Sequence, residues 1–187
     1  MKKSQIPVLF GGVVLVSLTL IIMFVPVIAN AQTNRVEVSF TYTKQGGFSS
    51  NQFAVWIEDA QGRYVKTLYA TRFTAAGGWQ KREQSLPLWV KQSNLAAMNK
   101  AQVDALTGPT PKSGSVRYVW DGKDSAGRPV PAGEYRVLVE ATLRGESSVL
   151  YTALIKLGER GTVKPQARYS GSDTKERGMI GQVTVSY

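Results

Sequence analysis

Residues 104–137 read DALTGPTPKSGSVRYVWDGKDSAGRPVPAGEYRV, and their second half carries the clearest strand pattern in the chain. Val116, Tyr118 and Trp120 occupy alternate positions, as in a strand with one buried face. The turn-forming residues 121–127 follow, and Tyr135 lies at the start of a second alternating run. The stretch therefore predicts two β-strands joined by a connection rich in glycine and proline.

Further alternation on both sides of this stretch predicts an all-β domain. Residues 36–42 place apolar side chains at every second position, and residues 53–57 and 64–69 flank the turn signal Asp59-Ala-Gln-Gly62. Residues 150–157 are suited to pair with residues 135–143, and residues 180–187 form a last strand candidate. About seven short strands separated by turns are typical of an antiparallel β-sandwich.

Tyr135 follows Gly133 closely at a strand start, as in the tyrosine corner of immunoglobulin-like sandwiches, where the hydroxyl bonds to nearby backbone. The run WDGKDSAGRPVPAGEYRVLVEA, residues 120–141, resembles the signature of the Ig-like domain of flagellar hook-capping proteins and their relatives. This resemblance implies an Ig-like antiparallel β-sandwich over residues 32–187. It carries almost no information about function.

Residues 74–115 interrupt the strand pattern with an insertion of about 40 residues, longer than an ordinary connection. Residues 77–79 have the composition of a loop, and residues 86–90 are apolar but too few to classify. Residues 94–107 predict one or two helical turns with Asn94 or Asn99 as caps and Gly108 as the stop. Long insertions of this kind often carry function.

The N-terminus predicts export. Two lysines precede an apolar run over residues 6–29, and Ala29-Asn30-Ala31 has the small-x-small pattern of a signal-peptidase site. We expect residues 1–31 to be a signal peptide, with a retained N-terminal anchor as the alternative, because the run is long enough to span a bilayer. Either interpretation predicts a periplasmic domain.

Composition excludes several kinds of chemistry. The chain has no cysteine and no histidine, so thiolate nucleophiles, disulfides, Ser-His-Asp triads and histidine-bound metals are absent. Lys and Arg number 23 against 13 Asp and Glu, but they are scattered, and an exported protein rarely meets nucleic acid. We expect a solvated basic surface, with attraction to anionic ligands or lipid headgroups as the second interpretation.

Residues 104–110, DALTGPT, resemble the acceptor motif D-x-x-[S/T]-G-A-[S/T] of FAD:protein FMN transferases. That resemblance implies FMN joined through a phosphoester to Thr110, with Asp104, Thr107 and Gly108 as the other motif positions. Pro109 departs from the motif, since the family has alanine there and proline removes an N–H. The alternative is a helix end followed by an unmodified proline-rich turn.

Neighbouring side chains suggest how this site is completed. Lys112 is suited to offset the phosphate charge, and Asp104 to position the acceptor segment. Trp79 and Trp89 lie in the same insertion and are candidates to stack on the flavin ring, with core burial as the alternative for both. Asp121, Asp124 and Glu134 match no calcium loop, so we interpret them as carboxylates of a solvated turn.

Four segments together carry a wider resemblance. They are residues 51–72, the W-x-K-R-x-x-S-L-P-L-W run of residues 79–89, residues 104–114 and residues 120–135. In this order they are similar to a family of bacterial periplasmic proteins known only as domains of unknown function, whose genes tend to lie beside PepSY-type membrane reductases and flavin transferases. The resemblance implies a flavin carrier in an extracytoplasmic electron-transfer chain. A cofactor-free Ig-like interaction module is the alternative.

Overall fold

A computed structural model describes residues 34–171 and 177–187, and the predicted signal peptide lies outside these ranges. The described chain is built mainly of strands joined by short connections. The strands are β1 Val36–Tyr42, β2 Gln52–Asp59, β3 Tyr64–Thr71, β4 Thr107–Gly108, β5 Gly114–Trp120, β6 Gly133–Arg144, β7 Ser147–Leu157, β8 Thr162–Val163, β9 Arg168–Ser170 and β10 Thr184–Ser186.

Two sheets form a sandwich, which confirms the predicted fold class. One sheet has the order β5-β1-β10-β8, and the other has the order β4-β3-β2-β6-β7-β9. The predicted pairing of β6 with β7 is confirmed, with Tyr135 opposite Ile155. The pairing of β4 with β3, at one edge of the larger sheet, is parallel. The short strands β8 and β9 lie in the polar segment that follows β7.

The core between the sheets follows the predicted alternation. β1 buries the side chains at every second position, and β6 contributes Tyr135, Val137, Val139 and Ala141 from its inward face. Burial of one large aliphatic or aromatic side chain stabilises a fold by roughly 1.5 to 3 kcal/mol. These inward faces therefore account for the sandwich, and the Tyr135 hydroxyl donates to the Pro131 carbonyl at 2.8 Å, as the tyrosine-corner prediction requires.

Between β3 and β4 the chain forms a succession of short helical elements. These are a kinked helical turn at Thr74–Gly78, α1 Trp79–Lys81, α2 Pro87–Gln92, a 3-10 turn at Leu95–Ala97 and α3 Lys100–Leu106. The prediction of a loop at residues 77–79 holds only for Gly77, whose φ of 98 marks the kink, because Gly78 and Trp79 are helical. The cap at Asn99 is confirmed, since its side chain accepts the Gln102 N–H in a capping box.

The helical elements cover the outer face of the six-stranded sheet. They enclose a second apolar cluster that includes Trp56 and Leu138, whose side chains point away from the core between the sheets. β2 is consequently buried on both faces, from Gln52 to Glu58. The molecule thus has three layers, and the insertion is part of its hydrophobic structure.

Polar contacts fix the insertion to the sheet. The carboxylate of Glu140, 4% exposed, accepts the N–H of Leu88 at 3.1 Å and the N–H of Trp89 at 2.8 Å. The Thr142 hydroxyl accepts the Leu86 N–H at 2.9 Å. Leu86 itself has φ 54, a left-handed conformation that costs about 1 to 2 kcal/mol for a residue with a Cβ. Two side chains of β6 therefore hold the start of α2 in place.

The sequence D-x-x-G-R occurs twice and folds into the same turn both times, at residues 59–63 and 124–128. In each turn one aspartate oxygen accepts the N–H groups two and four residues later, and the other accepts the arginine Nε. The glycines have φ 80 and φ 77, which a residue with a Cβ rarely adopts. Asp124 thus acts as a turn residue, as predicted.

Candidate functional site

The acceptor-like segment lies at the edge of the larger sheet. Helix α3 ends at Leu106, and Thr107 is already extended, with φ −108 and ψ 151. Thr107 then lies opposite Ala70 of β3, and Gly108 lies opposite Thr71. The helix thus ends one residue before the predicted end at Thr107, and Gly108, the predicted stop, directly follows the C-cap as part of the edge strand β4.

Tyr69, on β3, holds this segment from behind. A Cβ placed on Gly108 would lie 2.7 Å from Cε2 of the Tyr69 ring, so the ring requires glycine at this position. The Tyr69 hydroxyl donates to the Pro109 carbonyl at 2.7 Å. Burial raises the pKa of Tyr69 to about 12, which keeps this donor protonated. Sequence reasoning missed Tyr69, because its contact arises only from the parallel pairing of distant segments.

An aromatic cluster supports Tyr69 in turn. Its ring centroid lies 4.8 Å from that of Tyr118 and 5.0 Å from that of Phe53, and Phe53 lies 5.2 Å from Tyr42. Tilted aromatic contacts at these separations are favourable and resist displacement. The backbone of residues 108–109 thus rests on a packed part of the core.

Thr110 lies just beyond this support and is exposed, as is Lys112. Thr107 and Gly108 are half-buried. Within the described ranges, Lys112 forms no ion pair with a carboxylate. The structure thus brings an accessible threonine and an accessible cation together at a backbone position that Tyr69 fixes.

Asp104, the first residue of the motif, has a partner on its own helix. It lies on α3, exposed, and its carboxylate pairs with Lys100 one helical turn earlier. The hydrogen bond from Lys100 holds the pKa of Asp104 below its usual range. Asp104 is thus part of a surface ion pair on α3, and its role in positioning the acceptor segment stays a prediction.

The two tryptophans of the insertion differ in accessibility. Trp89 is fully buried in the second cluster, and its Nε1 donates to the Thr67 hydroxyl at 2.9 Å. The core alternative therefore holds for Trp89, and it presents no ring face to a flavin. Trp79 is partly buried against the same cluster and keeps some exposed surface. Of the two stacking candidates, Trp79 alone keeps a solvent-accessible surface.

A cleft of about 590 Å³ opens between α3 and the start of β3. Its walls include Tyr64, Met98, Gln102 and Ser125, and Lys66 at its side pairs with Asp121 at 3.0 Å. Its volume is in the range of small-molecule sites. However, β4 runs parallel to β3 and carries the chain away from this cleft towards Thr110, so the two features are separate.

Comparison with known proteins defines the family. No curated protein and no solved structure matches the chain. In the described ranges, no helix has both the length and the apolar character needed to cross a membrane. The profile of a family described as "predicted periplasmic protein", DUF2271, matches residues 33–174, and this description confirms the predicted periplasmic location. The chain therefore belongs to the DUF2271 family of predicted periplasmic proteins.

Proposed function

We propose that this periplasmic protein carries FMN covalently on Thr110 and transfers electrons. The observation that carries the proposal is the exposure of Thr110 on a segment whose backbone Tyr69 holds at the sheet edge. A transferase must reach both the hydroxyl and the backbone beside it. A flexible loop would have to be ordered on binding, whereas this segment is already held in one position.

The attachment step balances without an external oxidant. The Thr110 hydroxyl oxygen attacks the phosphorus on the FMN side of the FAD pyrophosphate, and its proton passes to a base of the FAD:protein FMN transferase. The P–O bond to the AMP half breaks, so AMP leaves and FMN stays as a phosphoester. Lys112, two residues later and exposed, supplies a positive charge near the phosphate.

Pro109, the departure from the acceptor motif, is compatible with this geometry. Its carbonyl accepts the Tyr69 hydroxyl, so the hydrogen bond at this residue uses the one backbone group that proline retains. Proline also narrows the conformations of the unmodified segment. A PepSY-type membrane reductase would then supply electrons to the attached flavin, in keeping with the resemblance to carriers encoded beside such enzymes.

The intact mass of the protein after co-expression with a flavin transferase tests the proposal, with in-gel flavin fluorescence as a companion. Wild type and Thr110→Ser are expected to gain one FMN, because both retain a hydroxyl at this position. Thr110→Ala should gain none, and Thr107→Ala, which alters the half-buried neighbour, should only slow the gain. Wild type that stays unmodified would reject the proposal.

An unmodified protein would favour the other class of function, a cofactor-free interaction module. The cleft beside α3 is the feature that supports this alternative, because it combines apolar Met98 and Leu106 with polar Tyr64 and Gln102. Such mixed linings are typical of binding sites. Gln102→Trp would place a large side chain in the cleft from the exposed helix α3. We would then expect this variant to lose the binding of a partner in the cleft without any change at Thr110.

A further inference from the structure

Several loops that connect the strands lie at the end of the sandwich that carries Thr110. β1 ends where β5 begins, with Tyr42 opposite Gly114, and β2 begins where β6 ends, with Gln52 opposite Thr142. β3 and β4 both end here as well. We call this the Thr110 end, and define it by residues 43–51, 72–73, 109–113, 144–147, 169–171 and 177–179.

Exposed aromatic side chains are concentrated at the Thr110 end. Of five large apolar side chains exposed within the described ranges, three lie here, namely Phe48 (88% exposed), Phe73 (44%) and Tyr169 (37%). An arginine stacks on each ring, with distances from the guanidinium carbon to the ring centroid of 5.9 Å for Arg144, 5.2 Å for Arg82 and 4.7 Å for Arg177. Phe48 follows Gly46 and Gly47 at the tip of its loop.

Positive charge is concentrated at the same end. Five cations at or beside the Thr110 end form no ion pair with a carboxylate among the described residues. They are Lys44, Arg72, Arg82, Lys112 and Arg177. Among the described carboxylates, Glu83 and Glu146 lie near this end, and Asp104 interacts electrostatically with Arg72. At the opposite end several cations pair with carboxylates, as in Arg63–Asp59, Lys66–Asp121 and Arg128–Asp124, whereas Arg35 and Arg136 form no ion pair with a described carboxylate.

We propose that the Thr110 end docks on the surface of a bilayer that contains anionic phospholipid. Basic side chains beside an anionic bilayer each strengthen binding by about fivefold, and aromatic rings favour the headgroup layer. The three rings lie on separate elements at this end: Phe48 in the β1–β2 loop, Phe73 at the start of the helical turn after β3, and Tyr169 on β9. The stacked arginines can bury their stems beside the rings and keep their charge at the headgroups.

This docking does not depend on flavin attachment, because it uses none of the chemistry of Thr110. It does have a consequence for the proposed function. Thr110 and Lys112 lie within the same end of the sandwich, so docking would place the acceptor residue beside the bilayer. A membrane-embedded reductase could then reach an attached flavin without any rotation of the carrier relative to the membrane.

The test uses the exported protein with the N-terminus that the cell leaves, and a fluorophore that responds to apolar surroundings. The chain has no native cysteine, so Gly46→Cys labels the Thr110 end and Ala126→Cys labels the opposite end. A Cβ at Gly46 meets no atom within 4 Å. We expect vesicles of phosphatidylglycerol and phosphatidylcholine to shift the emission at Gly46→Cys but not at Ala126→Cys, and phosphatidylcholine vesicles to shift neither.

Two variants and their controls test the residues involved. Phe48→Ala should raise the lipid concentration that gives the half-maximal response at Gly46→Cys by about tenfold. Lys44→Gln should raise it by about fivefold. The controls are Leu154→Ala and Lys156→Gln, which remove an exposed apolar side chain and an exposed cation far from the Thr110 end. They should leave the response at Gly46→Cys unchanged. Equal responses from both labels, no response from either, or equal responses to neutral and anionic vesicles would overturn the proposal.

Discussion

Replacement of Glu140 by glutamine is expected to flatten the dependence of this protein's stability on pH. Glu140 is 4% exposed, and its two carboxylate oxygens accept separate backbone N–H groups at the start of α2. Burial, only partly offset by the hydrogen bonds from Trp89 and Leu88, raises its pKa from 4.5 to about 7. A carboxyl group with a raised pKa binds its proton more tightly in the folded protein than in the unfolded chain.

The sign and size of the effect follow from this difference. The contribution of Glu140 to stability is fully present below pH 4.5, is lost as the pH rises towards 7, and is constant above that. Between pH 5 and pH 8 the loss amounts to roughly 2 to 3 kcal/mol. Few other groups change charge there, because the chain has no histidine and no cysteine.

Urea unfolding at pH 5, 6, 7 and 8 measures the effect, provided that each transition is two-state. Wild type should lose stability over this range, whereas Glu140→Gln should lose much less. At any one pH the variant also lacks one acceptor oxygen, a constant cost of about 1 to 3 kcal/mol. Glu146→Gln, in the exposed β6–β7 turn, is the matched control and should follow wild type. Parallel curves for wild type and Glu140→Gln would refute the reasoning.

Three further substitutions test other contacts. Gly108→Ala should destabilise the protein by about 1 to 3 kcal/mol in urea unfolding, because its Cβ would overlap the Tyr69 ring. The control Gly178→Ala has open space around its Cβ and should be nearly neutral. Equal effects of the two substitutions would contradict this reasoning. Tyr135→Phe should cost about 1 kcal/mol, and an unchanged urea midpoint would argue against the corner hydrogen bond. The Arg128 N–H lowers the pKa of Asp124, so the stability deficit of Asp124→Asn should shrink as the pH falls below 4, and a deficit at pH 3 as large as that at pH 7 would contradict that assignment.

Local patterns predicted most of the sandwich correctly. Alternation in residues 36–42 and 135–141 gave the inward faces, because strand side chains point to opposite faces with a period of two. The turn at residues 59–62 and the cap at Asn99 were also predictable, since each depends on residues within one turn. Helix α2 was not recognised, because its start is held by Glu140 of a distant strand.

The candidate site divides in the same way. Thr110 was proposed from the motif and Lys112 from its position two residues later, and both side chains are exposed in the structure. The positioning role of Asp104 stays a prediction, and the structure adds an i,i+4 partner, Lys100, on the same helix. Trp89 was left open between core and cofactor, and its burial depends on the sheet beneath it.

The sequence by itself determined the strand periodicity, the turns and the candidate acceptor Thr110, because each of these depends on residues close together in the chain. Tertiary structure alone decided that Tyr69 lies against Gly108 and that basic and aromatic side chains gather at the Thr110 end. These features join segments far apart in the chain. Their proximity is set by strand pairing and direction, which no local pattern encodes.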